Sequence, residues 1–299
     1  MRKLITTVFN RDWHHSNHHV MMMMINRMTI KKHISKITQP FISETHCKRN
    51  FHASSSITLN EKSIPNNPYS PKYNIVIVDI EGTSTNVGMC RIIEVAGARI
   101  IDGTSVSSFT SLVNADIPFL PEPIVEITKI TKAMLDLAPP PQIVMSQLYS
   151  FLSSQPSLLV GHNVRFDVSV IFNEFVRHKL INADSSLSQV YNDFSEHPLF
   201  ANTLCTLKLA RRVFPGQPDY KLGSLIENLG LGRVSMAHRA HADVSMTSAL
   251  WRKIYRECYD RMGGDVVPDH DFFLKLQETP AKSVDKFIEM YKLEKAYSK

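Results

Sequence analysis

The stretch Asn74-Ile-Val-Ile-Val-Asp79-Ile80-Glu81 joins an apolar run to two carboxylates. A short apolar run of this kind predicts a buried β-strand that ends at the acids. Because side chains alternate across a strand, a spacing of two places Asp79 and Glu81 on the same face. Burying such a pair is costly unless a cation compensates the charge. The stretch therefore predicts a strand leading to a cation site, the alternative being a strand end that emerges into solvent.

Two further segments place acids after apolar runs. His-Asn-Val-Arg-Phe-Asp (162–167) follows a predicted strand at 157–160, and His-Arg-Ala-His-Ala-Asp (238–243) overlaps the start of a predicted helix at 240–258. Each acid alone also fits a helix start, where the helix dipole favours negative charge. Like charges that converge cannot all stay ionised without a cation. The acids predicted to share one metal site are Asp79, Glu81, Asp167 and Asp243.

The remaining pattern predicts a layered α/β domain. Further strands are expected at 91–101, 107–113 and 157–160, and helices within 121–137 and at 141–154, 166–179, 206–214, 221–229 and 240–258. Three strands followed by alternating helices and strands favour a mixed central sheet flanked by helices. Two more helices are predicted near 269–276 and 283–296. We therefore divide the chain into a domain at 73–260 and a helical C-terminal extension at 261–299, which either docks on the domain or serves a partner.

The chain of 299 residues is basic only in its first part. Its net charge is +6, but residues 1–58 hold nine lysines and arginines against two acids, and the rest holds 25 against 26. The net charge therefore does not indicate a nucleic-acid-binding surface on the folded part. A nearly neutral domain can still bind a polyanion through local basic residues and bound metals.

The N-terminal segment at 1–58 is predicted to be a disordered organellar transit peptide, because it is rich in Arg, Lys and Ser and poor in acids. Arg49–Ser54 resembles the processing site of mitochondrial presequences, which places cleavage near Thr58 and the protein in mitochondria. A plastid transit peptide and a disordered basic arm are the alternatives. The Ser-, Pro- and Asn-rich stretch at 59–72 is predicted to be a linker. No run of 18 apolar residues occurs, so neither a transmembrane helix nor a membrane partner is expected.

In their order along the chain, the motifs resemble those of the DEDDh exonuclease family, in particular the proofreading epsilon subunit of bacterial DNA polymerase III and epsilon-like organellar exonucleases. The resemblance extends from about Tyr73 to Tyr259. Its main segments are Val78–Glu81, Leu112–Asn114, Ile130–Thr131, Val160–Asn163, Phe166–Asp167, Thr206–Arg212 and His238–Ala240 with Asp243. It implies a ribonuclease H-like fold and a 3′→5′ exonuclease that hydrolyses phosphodiester bonds at nucleic-acid 3′ ends and releases nucleoside monophosphates.

The resemblance also implies a two-metal mechanism. Hard carboxylate oxygens suit Mg²⁺ or Mn²⁺, and two such ions can stabilise the attacking and leaving oxygens of an in-line displacement. By resemblance, Asp79 bridges both ions. Glu81 and Asp243 complete the ion that carries the nucleophilic water, and Asp167 holds the second ion.

The resemblance implies that His238 is the general base, a role that suits histidine because its unperturbed pKa is about 6.5. His241 is the competitor, since it is nearer to Asp243 in sequence, but the family spacing selects His238. Thr83 matches a common family threonine, whereas Gly82 and Ser84 depart from the usual Thr and Gly. The residues expected to contact the 3′-terminal nucleotide are Ile80, Gly82, Thr83, His162, Asn163 and Phe166, with core packing as the alternative for Phe166.

The predicted partner is a single-stranded 3′ end, of DNA rather than RNA, and a polymerase that docks on residues 261–299 is the second partner considered. An exoribonuclease is the alternative enzyme. Its oligoribonuclease branch usually carries Met-Thr-Gly after the glutamate, where this chain has Gly82-Thr83-Ser84. A third alternative is an inactive nuclease fold that only binds nucleic acid. The complete acidic set argues against it, because carboxylates without metals repel a phosphate backbone.

Overall fold

The computed structural model describes residues 74–155, 157–182, 197–233 and 238–297. Within these residues the strands are β1 (Asn74–Gly82), β2 (Ile92–Ile101), β3 (Thr104–Leu112), β4 (Leu158–Gly161) and β5 (Thr203–Cys205). They form one sheet in the order β3-β2-β1-β4-β5. β2 is antiparallel to β1 and β3, whereas β4 is parallel to both β1 and β5. The predicted mixed sheet of a ribonuclease H-like fold is confirmed.

Helices occur between and after these strands. They are α1 (Glu122–Thr128), α2 (Lys132–Asp136), α3 (Pro141–Ser153), α4 (Arg165–Arg177), α5 (Thr206–Val213), α6 (Leu222–Asn228), α7 (Ala240–Arg261), α8 (His270–Leu276) and α9 (Val284–Tyr297), with a 3₁₀ turn at Ala281–Ser283. Each helix lies within or close to a segment that the sequence predicted to be helical. β5 was not predicted, because three residues are too short to show a hydrophobic period.

The predicted leader at 1–58 and linker at 59–72 lie outside the described residues. Among the residues that are described, no helix is both long enough and apolar enough to span a membrane.

β1 is the central strand of the sheet and is buried on both faces, which explains its continuous apolar sequence. Ile75 and Ile77 belong to a core cluster with α5, α6, α7 and the C-terminal helices. Val76 and Val78 belong to a second cluster with α3 and α4. The sheet is therefore covered by helices on both faces, and the next side chains along β1 emerge between the two layers.

The helices after α7 pack onto the domain. Phe273 of α8 lies against two residues of α7, with ring centroids 4.8 Å from Trp251 and 5.9 Å from Tyr255. Gln277, at the end of α8, accepts a hydrogen bond from the Cys205 backbone N–H at 2.9 Å and donates one to the Thr203 carbonyl at 3.0 Å. These bonds satisfy backbone groups of β5 at the edge of the sheet. The sequence left open whether the extension docks on the domain or serves a partner. The described helices of the extension dock on the domain.

We expect Phe273→Ala to lower the free energy of unfolding by about 3–5 kcal/mol, because it removes a fully buried ring from the core shared with α7. Chemical denaturation monitored by circular dichroism measures the effect. Met290→Ala on α9 is the control, since Met290 is 59% exposed and should change little. A loss below about 1 kcal/mol for Phe273→Ala would show that the C-terminal helices do not unfold with the domain.

Candidate active site

The predicted metal ligands of β1 and α7 come together at the end of the sheet. Asp79 and Glu81 continue the face of β1 that packs toward α7. Asp243 lies in the first turn of α7, and His238 comes two residues before that helix begins. A carboxylate oxygen of Glu81, one of Asp243 and a ring nitrogen of His238 all lie within 4.8 Å of one another. The two distant motifs therefore form one cluster of potential ligands.

Asp167 approaches the same place from the opposite layer. It lies in the first turn of α4, is 6% exposed, and its Oδ1 accepts a hydrogen bond from the Ile80 backbone N–H at 3.2 Å. Ile80 separates Asp79 from Glu81 along β1. The bond therefore fixes Asp167 against the strand end that carries the other acids. The Ile80 side chain, predicted to contact substrate, is itself buried in the core with α3 and α4.

All four carboxyl groups have raised pKa values. Burial, followed by the charges of Asp167 and Asp243, raises the pKa of Asp79 well above its ordinary value. Burial and then the charge of Asp243 raise the pKa of Glu81 to about 8. Burial is also the main cause that raises the pKa of Asp167 to about 7 and that of Asp243 to about 6. Acids that share a site elevate one another's pKa in this way, and a cation between them reverses the effect.

The donor set fits divalent cations. Among the described residues, Asp243 has a buried carboxylate oxygen, Oδ1, without a hydrogen-bond partner. Leaving such an oxygen unpaired is costly, and a cation would satisfy it. Carboxylate oxygens are also the ligands that hard divalent ions prefer. The four acids at this end of the sheet therefore fit the predicted metal site.

His238 is the histidine that the structure places in the cluster, whereas His241 lies outside it. The backbone of His238 has φ of +62°, in the left-handed region that few non-glycine residues adopt. Interaction with His238 partly offsets the rise in the pKa of Asp243 that burial causes. The His238 side chain is exposed to solvent, whereas Glu81 and Asp243 are half-buried.

His162 is held by the protein through both ring nitrogens. Nε2 lies 2.9 Å from the Tyr220 carbonyl, and Nδ1 lies 3.0 Å from Thr206 Oγ1. Because a carbonyl only accepts, Nε2 carries the proton of the neutral ring. Nδ1 then accepts a hydrogen bond from the Thr206 hydroxyl, whose other possible acceptor is the Gly161 carbonyl 3.2 Å away. Burial lowers the pKa of His162, which favours this neutral ring. Substrate contact through either nitrogen would require breaking one of these bonds.

The two other predicted contacts near β4 differ in exposure. Asn163 is exposed and has φ of +66°, a left-handed conformation that asparagine tolerates better than most residues. Phe166 is half-buried and packs against the core cluster with α3 and α4, the alternative considered for it. Asn163 therefore presents a side chain to solvent beside the site, whereas the Phe166 ring is mainly part of the core.

The turn after β1 is organised by its own residues. The Thr83 backbone N–H donates to the Arg91 carbonyl at 3.0 Å, and Thr83 Oγ1 accepts from the Arg91 backbone N–H at 3.0 Å. Gly82 lies at an irregularity in the β1–β2 register. A Cβ at Gly82 would stand 2.3 Å from Cys90 Sγ. The buried Cys90 side chain therefore explains why glycine stands where related sequences usually have threonine.

A family model described as an exonuclease (RNase_T) matches residues 76–251. The chain belongs to this exonuclease family. The match spans more than half of the chain and includes all four acids and His238. The resemblance to DEDDh 3′→5′ exonucleases is confirmed, and so is the prediction that the chain is an enzyme of this class.

Individual relatives and solved structures agree with this assignment. DNA polymerase III subunit epsilon of Aquifex aeolicus is 32% identical over 188 residues, which cover 63% of this exonuclease and 83% of the relative. The 3′-5′ exonuclease DinG of Bacillus subtilis is 29% identical over 185 residues, 61% of this chain but 18% of the relative. E. coli Exonuclease I in complex with a dT13 oligonucleotide shares the fold, with a TM-score of 0.53 and 20% identity over 64% of this chain and 43% of that chain.

The exonuclease therefore spans most of its epsilon relative, but less than half of Exonuclease I and about a fifth of DinG. Enzymes of this family normally use divalent metal ions, and the cluster of carboxylates with His238 fits that use.

Two further residues lie at the site and are not among the predicted site residues: Glu94 on β2 and Arg239 next to His238. Glu94 is 1% exposed and stands opposite Glu81 in the β1–β2 register. The sequence did contain a signal, since Glu94 is an acid inside the apolar strand predicted at 91–101. A charge in such a position requires a partner, but the partner is 145 residues away and could not be identified from spacing.

Gly82→Ala is expected to destabilise the exonuclease by about 1–3 kcal/mol, because the new methyl group overlaps Cys90 Sγ. Cys90→Ala removes that sulfur, so in its background the same change at Gly82 should cost less than about 1 kcal/mol. Denaturant unfolding of the two single variants and the double variant gives the coupling. Strictly additive losses would mean that Cys90 does not set the size limit at Gly82.

The raised carboxyl pKa values predict a pH-dependent stability. In the absence of divalent cations the folded state keeps protons that the unfolded chain releases, so folding is most favoured below the ordinary carboxyl pKa of about 4. This contribution is lost as pH rises through about 6 to 8, the folded-state pKa values of Asp243, Asp167 and Glu81.

We therefore expect the Tm in EDTA to fall by at least about 5 °C between pH 5 and pH 8, and a saturating divalent cation to restore it at pH 8 more than at pH 5. Differential scanning fluorimetry measures both effects. In the matched control, Glu81→Gln combined with Asp243→Asn, both the fall and the recovery should shrink. A Tm in EDTA that rises over this pH range would contradict the arrangement of the acids.

Proposed function

We propose that this exonuclease hydrolyses DNA from its 3′ end and releases nucleoside monophosphates, using two divalent cations, Mg²⁺ or Mn²⁺. The observation that carries the proposal is the convergence of acids from β1, α4 and α7 with one histidine at the end of the sheet. Carboxylates grouped in this way would repel a phosphate backbone unless cations were bound between them. The site is therefore suited to a phosphodiester only when it holds metal.

The proposal gives the acids different tasks. The charges of both Asp167 and Asp243 raise the pKa of Asp79, which supports a role for Asp79 shared between the two ions. Glu81 and Asp243 would hold one ion beside His238, and Asp167 would hold the other from the α4 side. Two divalent cations held there would stabilise the attacking and leaving oxygens of an in-line displacement.

His238 is the proposed general base. Its ring nitrogen lies beside the carboxylates of Glu81 and Asp243, which would hold the ion nearest to the attacking water. The ring would accept the proton of that water as the new bond to phosphorus forms. The exposed position of His238 then allows the proton to leave to solvent before the next nucleotide is hydrolysed.

DNA as the substrate is supported by the relatives. The similar proteins include a subunit of DNA polymerase III, and Exonuclease I has been seen with a dT13 oligonucleotide. Gly82-Thr83-Ser84 also differs from the Met-Thr-Gly of the oligoribonuclease branch. A polymerase partner is proposed through the likeness to the epsilon subunit. α9 leaves Met290, Leu293 and Tyr297 exposed, and these apolar side chains are the part of the extension that such a partner would use.

We also propose that residues 1–58 direct the exonuclease to mitochondria. Their excess of nine basic residues over two acids and the stretch Arg49–Ser54 support this proposal. The proposed exonuclease activity does not depend on this targeting.

The activity is tested by giving the purified full chain 3′-end-labelled single-stranded DNA, duplex DNA and RNA, with Mg²⁺ and with EDTA. We expect release of mononucleotides from single-stranded DNA that stops in EDTA. Release from RNA alone would favour the exoribonuclease. Metal-dependent release from no 3′ end at all would refute the proposal.

The same assay tests the general base. His238→Ala should lower kcat by about 10²- to 10⁴-fold, because proton abstraction from the attacking water is lost. Divalent cation binding, measured by calorimetry, should survive, since the four acids remain. His241→Ala is the matched control and should retain activity close to that of the wild type. If His241→Ala loses the activity instead, the base has been assigned to the wrong histidine.

A further inference from the structure

A fifth carboxylate, that of Glu94, lies beside the four proposed ligands and bonds to residues at the start of α7. Glu94 stands opposite Glu81 in the β1–β2 register, and cross-strand partners place their side chains on the same face of a sheet. The Glu94 side chain is fully buried between the sheet and the start of α7. A free carboxylate here would add to the repulsion among the acids and would compete for the cations.

Arg239 binds this carboxylate with a bidentate fork. Arg239 Nη2 donates to Glu94 Oε1 at 2.7 Å, and Arg239 Nε lies 3.0 Å from Oε2 and 3.2 Å from Oε1. The Ala240 backbone N–H donates to Oε2 at 3.0 Å. Paired N–H donors on one carboxylate fix both its position and its plane. Glu94 is therefore fully engaged by residues at the start of α7.

Glu94 also acts as the cap of α7. Arg239 occupies the N-cap position but its side chain makes no capping bond to its own helix. The first turn of a helix has backbone N–H groups without partners, and an N-cap side chain usually satisfies one of them. Here the carboxylate of a neighbouring strand does so, at Ala240. The start of α7 is thereby attached directly to β2.

Two residues of the site lie on either side of this attachment: His238 before α7 and Asp243 in its first turn. His238, immediately before Arg239, is in the left-handed region, and a nitrogen of its ring lies within 4.8 Å of a carboxylate oxygen of Asp243. Asp243 lies one turn after Ala240. A shift of the start of α7 would therefore move the proposed base and one proposed ligand together, relative to the acids of β1.

We propose that Glu94 and Arg239 are positioning residues of the active site. Their fork sets the start of α7 so that His238 and Asp243 meet Glu81, and it withholds Glu94 from the metal ions. This inference rests on the proposed exonuclease function for its kinetic part. The simpler explanation, that the pair only stabilises the fold, predicts a loss of stability without a loss of rate in the folded protein.

Arg239→Lys tests the fork, because lysine keeps the charge but has no bidentate geometry. In the full chain, at a temperature where circular dichroism shows complete folding, we expect kcat to fall by about 10- to 100-fold, the range found for residues that orient metal ligands. KM for a single-stranded oligonucleotide should stay within about threefold, because the change does not touch the DNA. Calorimetry should show that the affinity for Mn²⁺ is lower by about 10-fold or more.

Arg99→Lys is the matched control. Arg99 is a buried arginine of β2, 3% exposed, and it bonds to Asn74 Oδ1 at 2.9 Å and Ser154 Oγ at 3.1 Å at the far end of the strand. Its replacement should lower the Tm but leave kcat and Mn²⁺ affinity of the folded protein unchanged. Equal rates and affinities for the wild type and Arg239→Lys would overturn the proposal.

Glu94→Gln, Arg239→Ala and the double variant test the same proposal if Arg239→Lys folds poorly. Glu94→Gln retains an oxygen for the Ala240 N–H but weakens the fork, and it should show the same fall in kcat and Mn²⁺ affinity with a smaller loss of Tm. Arg239→Ala should be strongly destabilised by the unpaired carboxylate, and adding Glu94→Gln should recover Tm but not kcat. Recovery of both would mean that the pair is only structural.

The calorimetric part separates failure of this inference from failure of the proposed function. If the wild type releases no nucleotide but binds Mn²⁺, reduced Mn²⁺ affinity in Arg239→Lys and not in Arg99→Lys would still support the positioning role. If the wild type is active and the affinities of both variants match it, the function stands and the positioning role is rejected.

Discussion

The structure depends on holding four carboxylates within reach of one another at the end of β1. Two unit charges about 4 Å apart repel by about 4 kcal/mol at the effective dielectric constant of a partly buried site. That is a large part of the 5–15 kcal/mol by which a typical domain is stable. The acids can therefore stay together only if they take up protons or bind cations, and if a rigid scaffold prevents them from separating.

The scaffold draws its rigidity from both layers of helices. β1 is the central strand, so its end is fixed by pairing with β2 on one side and β4 on the other. α4 brings Asp167 to the strand end from one face, where the bond to the Ile80 backbone fixes it. α7 brings Asp243 from the other face, where the carboxylate of Glu94 caps the helix. Each helix that contributes a ligand to the site is thus also bonded to a strand of the sheet.

Much of this could be predicted from the sequence, because the signals are local. The apolar run before Asp79, the proline at the start of α3 and the period of α7 each indicate one element, and the order of three motifs indicates the family. Acids at the ends of buried strands are also a local signal. That is why the four carboxylates and His238 could be assigned to one site before their distances were known.

The residues that the sequence did not reveal depend on partners far along the chain. The sequence predicts a substrate contact for His162 but does not indicate that its two ring nitrogens bond to groups at Thr206 and Tyr220. Glu94 looked like an isolated acid in a strand, but its partner is Arg239. Spacing cannot predict such pairs, because the side chains are brought together only by packing of α5 and α7 on the sheet. The same holds for Cys90, which explains Gly82 only when the turn is folded.

The C-terminal helices support the site through their contacts with α7. This helix is fixed at its start by β2 and along its length by α8, where Phe273 lies against Trp251 and Tyr255. Since Asp243 lies in its first turn, the position of that carboxylate depends on both contacts. The extension is therefore part of the support of the active site. A partner that binds the exposed residues of α9 would bind a helix whose buried face belongs to the same core as α7, so its binding energy could act on the position of Asp243 without any contact at the site.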